Sequence, residues 1–176
     1  MEGKMNKNRL LQTATLLFAV GISGYLFASD HGAGNSPFLP VVSNVTWQAE
    51  CAGCHTLYHP ALLPERSWRK VMAGLDKHFG ANASLDGATK KEIVEFLATH
   101  AADHSDQSRA RKIGQSIPAG ETPILITQTA YFTRKHDEVR ADVWRRKAIG
   151  SKANCAACHP GADKGSFNEH ELRVPK

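Results

Sequence analysis

The chain has 176 residues, with 22 Lys and Arg against 17 Asp and Glu for a formal net charge of +5, nine His and four Cys. Charged residues at 22% and hydrophobic residues at 41% describe a foldable globule, which excludes a disordered tail and a multi-pass membrane protein. The length allows one domain or two small ones sharing an interface, and four cysteines are too few for a disulfide-dense scaffold.

Residues 1–28 are expected to be a signal peptide: Lys4, Lys7 and Arg9 precede an apolar stretch from Leu10 to Ala28, and polar sequence begins at Ser29. The stretch is also about long enough to cross a bilayer, so an uncleaved anchor is the alternative. Either way the rest of the chain lies outside the cytoplasm, in the periplasm. Residues 29–44, rich in Gly, Ser and Pro, read as an irregular lead-in. A first compact region follows over residues 45–105. There Trp68, Val71, Met72, Leu75 and Phe79 recur at helical spacing, which predicts a helix over 67–79 stopped by Gly80. Thr89 and Glu92 are spaced as the capping box of a second helix over 88–102, with Ile93, Val94, Leu97 and Ala101 on one face.

The polar stretch 106–123 reads as a linker. A second region, 124–176, opens on a β-prone run from Ile124 to Thr127. It continues into a helix expected over 133–147, with Val139 and Val143 on one stripe. The expected fold is mainly α, with helices and long loops in the second region. Charge is uneven: Ser29–Ser105 carries 6 basic against 8 acidic residues, and Asp106–Lys176 carries 13 against 8.

All four cysteines fall in two segments, Cys51-Ala-Gly-Cys54-His55 and Cys155-Ala-Ala-Cys158-His159. Cysteines two residues apart fit on about one helical turn, so both sulfurs can reach the two vinyl groups along one edge of a haem. The next residue can then offer its imidazole to the iron. A four-cysteine zinc site would not require His after each pair, and no βαβ pattern surrounds either motif to suggest a thioredoxin-type disulfide. The reading is two covalently attached c-type haems, with Cys51, Cys54, His55, Cys155, Cys158 and His159 as the attachment residues.

His55 and His159 supply one axial ligand each, and the opposite faces decide the chemistry. Methionine would raise the potential, but after the signal segment only Met72 remains, so bis-histidine is the economical reading for both irons. His78, at helical spacing from Leu75 and Val71, is favoured as a further ligand to one of the two irons. His136, with Val139 and Val143 at i+3 and i+7, is favoured as the other such ligand. His59 precedes Pro60 on the attachment side and cannot easily swing across its own haem. His100 and His104 are spaced to clip a metal ion but suit a helix C-terminus better. His31 and His170 lie in loop-like termini.

These residues carry a resemblance. The segments ECAGCH, ALLPERSWRKVMAGLDKHFGANASLD and TAYFTRKHDEVRADVWRRKAIGSKANCAACHPGADKGSFNEHEL make most of the chain after residue 44 resemble the dihaem cytochrome c (DHC) family of exported bacterial electron carriers. The resemblance implies a small helical cytochrome c-like domain at 45–105. It also implies bis-histidine ligation by His55 with His78 and by His159 with His136, and electron transfer without substrate chemistry. It further implies a membrane b-type cytochrome as electron donor and a small oxygen-binding monohaem c-type protein as acceptor. Two alternatives stand beside it: a dihaem peroxidase-like or reductase enzyme with one open haem, and a fixed haem subunit of a membrane complex.

Six-coordinate irons without Met should have low potentials. With modest aromatic content, the haems should form much of the core and the apo protein should fold poorly. About four ionised propionates would offset much of the positive charge, so nucleic acid is not an expected partner. The clusters Arg134-Lys135 and Arg145-Arg146-Lys147 are instead expected to steer an acidic redox partner to the second region.

Overall fold

Asn44 starts the first helix of the computed structural model, which describes residues 38–176; the expected signal segment lies outside the described residues. The Asn44 side chain accepts a hydrogen bond from the Trp47 amide, which fixes α1 at Val45–Cys51. Trp47 is buried and packs against Phe96 with 5.0 Å between ring centres.

Helix α2, Glu65–Ala73, begins after Pro64 and ends at Gly74, and a 3-10 turn, Leu75–Lys77, follows. The helix expected over 67–79 therefore breaks at Gly74, where glycine favours leaving the helix. Trp68, Met72 and Leu75 are buried as the periodicity requires, but Phe79 is 56% exposed. Phe79 has φ of 50° and Gly80 of 96°, and they form the tip of a tight turn closed by the antiparallel bridge between His78 and Ala81. Such a turn wants left-handed backbone at both central positions, which glycine adopts freely and a bulky aromatic residue does not.

Helix α3 is Gly87–Thr99. Its cap is Asp86, which accepts from the Ala88 and Thr89 amides, and not the expected Thr89 box. Glu92 turns away to accept from the Asn44 side chain, tying α3 to the start of α1. Ile93 and Leu97 of α3 meet Trp68, Met72 and Leu75, with Trp47, Leu57 and Leu63 completing one apolar cluster.

The stretch expected as a linker carries helix α4, Ser108–Gln115, whose buried Ala110 and Ile113 join Leu39, Ala61, Leu62 and Ala102 in a second cluster. The short apolar side of this otherwise polar segment suffices because Gly114 lets α4 lie close to Ala102: a Cβ at that position would come within 3.3 Å of the Ala102 backbone. Ile126, Tyr131 and Phe167 pack on the same cluster, and Ile126 also touches the first, so the two regions share their packing.

The Ile124–Thr127 run forms no strand: Leu125 is extended and Ile126–Gln128 is a 3-10 turn. The single helix expected over 133–147 is two short ones, α5 at Ala130–Lys135 and α6 at Ala141–Trp144. Charge explains the division. Arg134 and Lys135 complement the C-terminal end of α5, Asp142 complements the N-terminal turn of α6, and a continuous helix would misplace both. The remainder is 3-10 turns at Cys155–Ala157, Ala162–Lys164 and Glu169–Glu171. Among the described residues the fold is helical without strands, and no helix is long and apolar enough to cross a membrane.

Candidate metal centre

Cys51 is the last residue of α1, so the helix delivers the first cysteine and the turn after it delivers Cys54 and His55. The second segment starts on the Cys155–Ala157 turn, where the His159 amide donates to the Cys155 carbonyl at 2.8 Å. Each segment therefore winds its two cysteines and histidine through about one turn. None of the four cysteines is in a disulfide. Burial pushes the thiols of Cys51 and Cys155 up to about 11 and raises Cys158 as well, so these are poor thiolate nucleophiles.

Two imidazole pairs form across the fold. The rings of His55 and His78 have centres 6.1 Å apart with 32° between their planes, and those of His136 and His159 are 6.2 Å apart at 85°. Two imidazoles on opposite sides of one metal, each with a metal–nitrogen bond of about 2 Å and about 1 Å more to the ring centre, place those centres about 6 Å apart. The spacing of each pair leaves room for one metal ion between its two rings. Neither arises as the periodicity suggested: His78 ends the 3-10 turn before the Phe79 bend, and His136 caps the C-terminus of α5, so neither rides a continuous helical stripe. Met72 is buried in the first apolar cluster.

The rings are held differently. His55 Nδ1–H donates to the Thr56 carbonyl at 2.7 Å and His136 Nδ1–H to the Phe132 carbonyl at 2.9 Å, which leaves Nε2 of each as a lone-pair donor. His159 Nδ1 is buried without a hydrogen-bond partner. Burial first, and the partner imidazole second, push His78 and His159 below the ordinary imidazole range, which favours the neutral form in which an imidazole can bind a metal.

Aromatic rings surround both pairs. Tyr58 stacks on His55 at 4.6 Å, Phe79 meets His78 edge-on at 4.8 Å, Phe132 stacks on His136 at 4.1 Å, and Phe167 meets His159 at 5.3 Å. Phe132, one turn before His136, was open to helical spacing; Tyr58 and Phe167 had no such signal. A cavity of about 200 Å³ opens beside His136, with Phe132, Val139, Trp144 and Lys152 in its wall. A larger one of about 630 Å³, between Ile117–Pro123 and Gln128–Asp137, has no histidine in its lining.

The other histidines have local roles. His59 is buried, its Nε2–H donating to the Pro40 carbonyl and its Nδ1 accepting from the Ala61 amide. His104 pairs with Glu65, and His100 donates to the Phe96 carbonyl, so the two do not face a common ion. Among the described residues no group of three or more His, Cys, Asp or Glu is gathered to hold a metal. Paired imidazoles suit a metal whose remaining positions are filled by a macrocycle.

Residues 47–167 match the family described as dihaem cytochrome c (DHC). The fold is similar to that of the diheme cytochrome c from Rhodobacter sphaeroides, at 44% identity and a TM-score of 0.64, covering 72% of this chain and 98% of that one. A second structure of DHC from the same organism matches at 40% identity and TM-score 0.59, covering 73% and 100%. The diheme cytochrome from Shewanella baltica matches at 36% identity and TM-score 0.62, covering 75% and 93%. Among curated proteins none matches.

Proposed function

This chain belongs to the dihaem cytochrome c family and takes two c-type haems, and from that premise we propose that it is a periplasmic electron shuttle, without substrate chemistry, whose irons are each held by two histidines. His55 and His78 ligate the first iron and His159 and His136 the second. Cys51, Cys54, Cys155 and Cys158 form the thioethers. The observation that carries this reading is the pair of imidazole spacings, 6.1 and 6.2 Å.

The haems supply a one-electron ferric–ferrous couple. The chain's own part would be to hold each iron with two imidazoles, which would leave no open position for a substrate, and to tune the couple. The Thr56 and Phe132 carbonyls accept from one imidazole of each pair, which makes those ligands more basic and favours the ferric state. With no Met ligand, both potentials should be low.

The same reading places the protein in the periplasm, supported by the export-type N-terminus. It takes electrons from a membrane b-type cytochrome and passes them to a small oxygen-binding monohaem c-type protein. Arg134, Arg145 and Lys147 are exposed on the second region and favour an acidic partner there. Association that weakens as ionic strength rises supports this docking face, and association indifferent to salt removes it.

Electron paramagnetic resonance of the oxidised holo-protein tests the ligation. Wild type should be low-spin at both irons, and His78→Ala and His136→Ala should each convert one iron to high-spin. A low-spin spectrum unchanged by either substitution rules out that histidine as a ligand.

A further inference from the structure

Tyr58 belongs to neither CxxCH segment, yet it touches both haem regions. Its ring stacks on His55, with centres 4.6 Å apart and 28° between planes, and its hydroxyl donates to the Ala153 carbonyl at 2.8 Å, 95 residues further along the chain. That carbonyl also accepts the Cys155 amide at 3.0 Å and lies 3.6 Å from the Cys155 sulfur. One side chain therefore joins an imidazole of the first pair to the peptide that carries the second cysteine pair. Among the described residues no other hydrogen bond links residues 51–58 to residues 151–159.

The arrangement is specific in chemistry as well as in place. The ring packs against the first apolar cluster, where a phenylalanine would fit equally well, so packing alone does not call for the hydroxyl. The hydroxyl finds a backbone acceptor that the Cys155 amide already uses, which makes the carbonyl a three-way junction. Electronic coupling between two redox centres decays more gently through covalent and hydrogen bonds than across van der Waals gaps. The route His55, Tyr58, Ala153, Cys155 crosses one ring stack and one hydrogen bond.

Resting on the bis-histidine reading, we propose that Tyr58 is a positioning residue that couples the two haems: it sets the plane of the His55 ring and provides a route, with one ring stack as its single through-space step and one hydrogen bond after it, along which they exchange an electron. The step moves one electron from the reduced iron to the oxidised one. No bond forms or breaks, no proton moves, and Tyr58 stays a closed-shell neutral phenol throughout, so no further oxidant or reductant is required.

The test uses the full holo-protein with Tyr58→Phe and Tyr58→Leu. Tyr58→Phe keeps the stack and loses the hydrogen bond. It should leave the first iron's low-spin signal unchanged, slow inter-haem electron exchange after rapid photoreduction several-fold, and raise amide hydrogen exchange across residues 151–155. Tyr58→Leu also loses the stack, and should shift the first iron's signal while the second iron's stays fixed. Exchange as fast as wild type in Tyr58→Phe overturns the route, and an unshifted first signal in Tyr58→Leu overturns the positioning. A wild-type spectrum that is not low-spin would instead sink the bis-histidine reading, an outcome visible before either variant is made.

Discussion

Between Val45 and His104 the chain buries Trp47, Leu63, Trp68, Met72, Ile93 and Leu97 in one cluster, whereas from Ile124 to Lys176 its buried positions are Thr129, Ile149, Ala162 and Gly165. The first region has three helices of seven to thirteen residues, and the second has helices of six and four and otherwise turns. The first can therefore hold its shape largely through side chains packed on side chains. The second has aromatic rings, Phe132, Trp144 and Phe167, around its histidine pair and little else to pack, so a bound haem should serve as its core. The apo state should accordingly be poorly folded in one part more than the other.

The largest test of that contrast is to remove one attachment at a time. Cys155→Ala with Cys158→Ala should leave residues 141–176 open to protease and to hydrogen exchange while α2 and α3 stay protected; the Cys51→Ala, Cys54→Ala pair should leave α2 and α3 helical by circular dichroism. Equal loss in both variants would erase the distinction. Next in size, Leu97→Ala should lower unfolding stability by about 2–5 kcal/mol, because it opens a cavity in the packed cluster.

Thr129→Ala should have a smaller effect, about 1 kcal/mol, through loss of the α5 cap to the Phe132 amide. Denaturant midpoints of the two variants rank the regions directly. The smallest effect concerns His59. Its burial, with His100 adding to it, outweighs the bond to Pro40 and lowers its proton affinity. The folded chain then binds fewer protons than the unfolded chain below the ordinary imidazole value of about 6.5. This site's contribution is therefore complete above that pH and declines as the pH falls through it. His59→Gln should start from a lower midpoint and flatten that acid-side decline.

Much of this was readable from residue type and spacing, and the failures have physical causes. The CxxCH segments and the helical character of the first region needed only local pattern. The histidine pairs were named for a reason the structure changes, since Gly74 ends α2 before His78 and the charges at Arg134, Lys135 and Asp142 divide α5 from α6. The two turns still bring each ring to within 6.1 or 6.2 Å of the histidine of a CxxCH segment. Helix α4 was missed because its two buried residues, Ala110 and Ile113, stand alone in a polar segment whose partners, Leu39, Ala61 and Ala102, are distant in sequence. Tyr58 was invisible for the same reason, its acceptor lying 95 residues away.

The angles between the paired rings, 32° in the first region and 85° in the second, would reach into the electronic structure of any iron held between them. On the proposed ligation, nearly aligned imidazole planes donate π density along one direction and split the two iron d orbitals that accept it. Crossed planes treat both directions alike and leave those orbitals close in energy. The first iron should therefore be magnetically rhombic, and the second strongly axial, with one g value far above the others. Each haem then carries its own label in a single frozen sample.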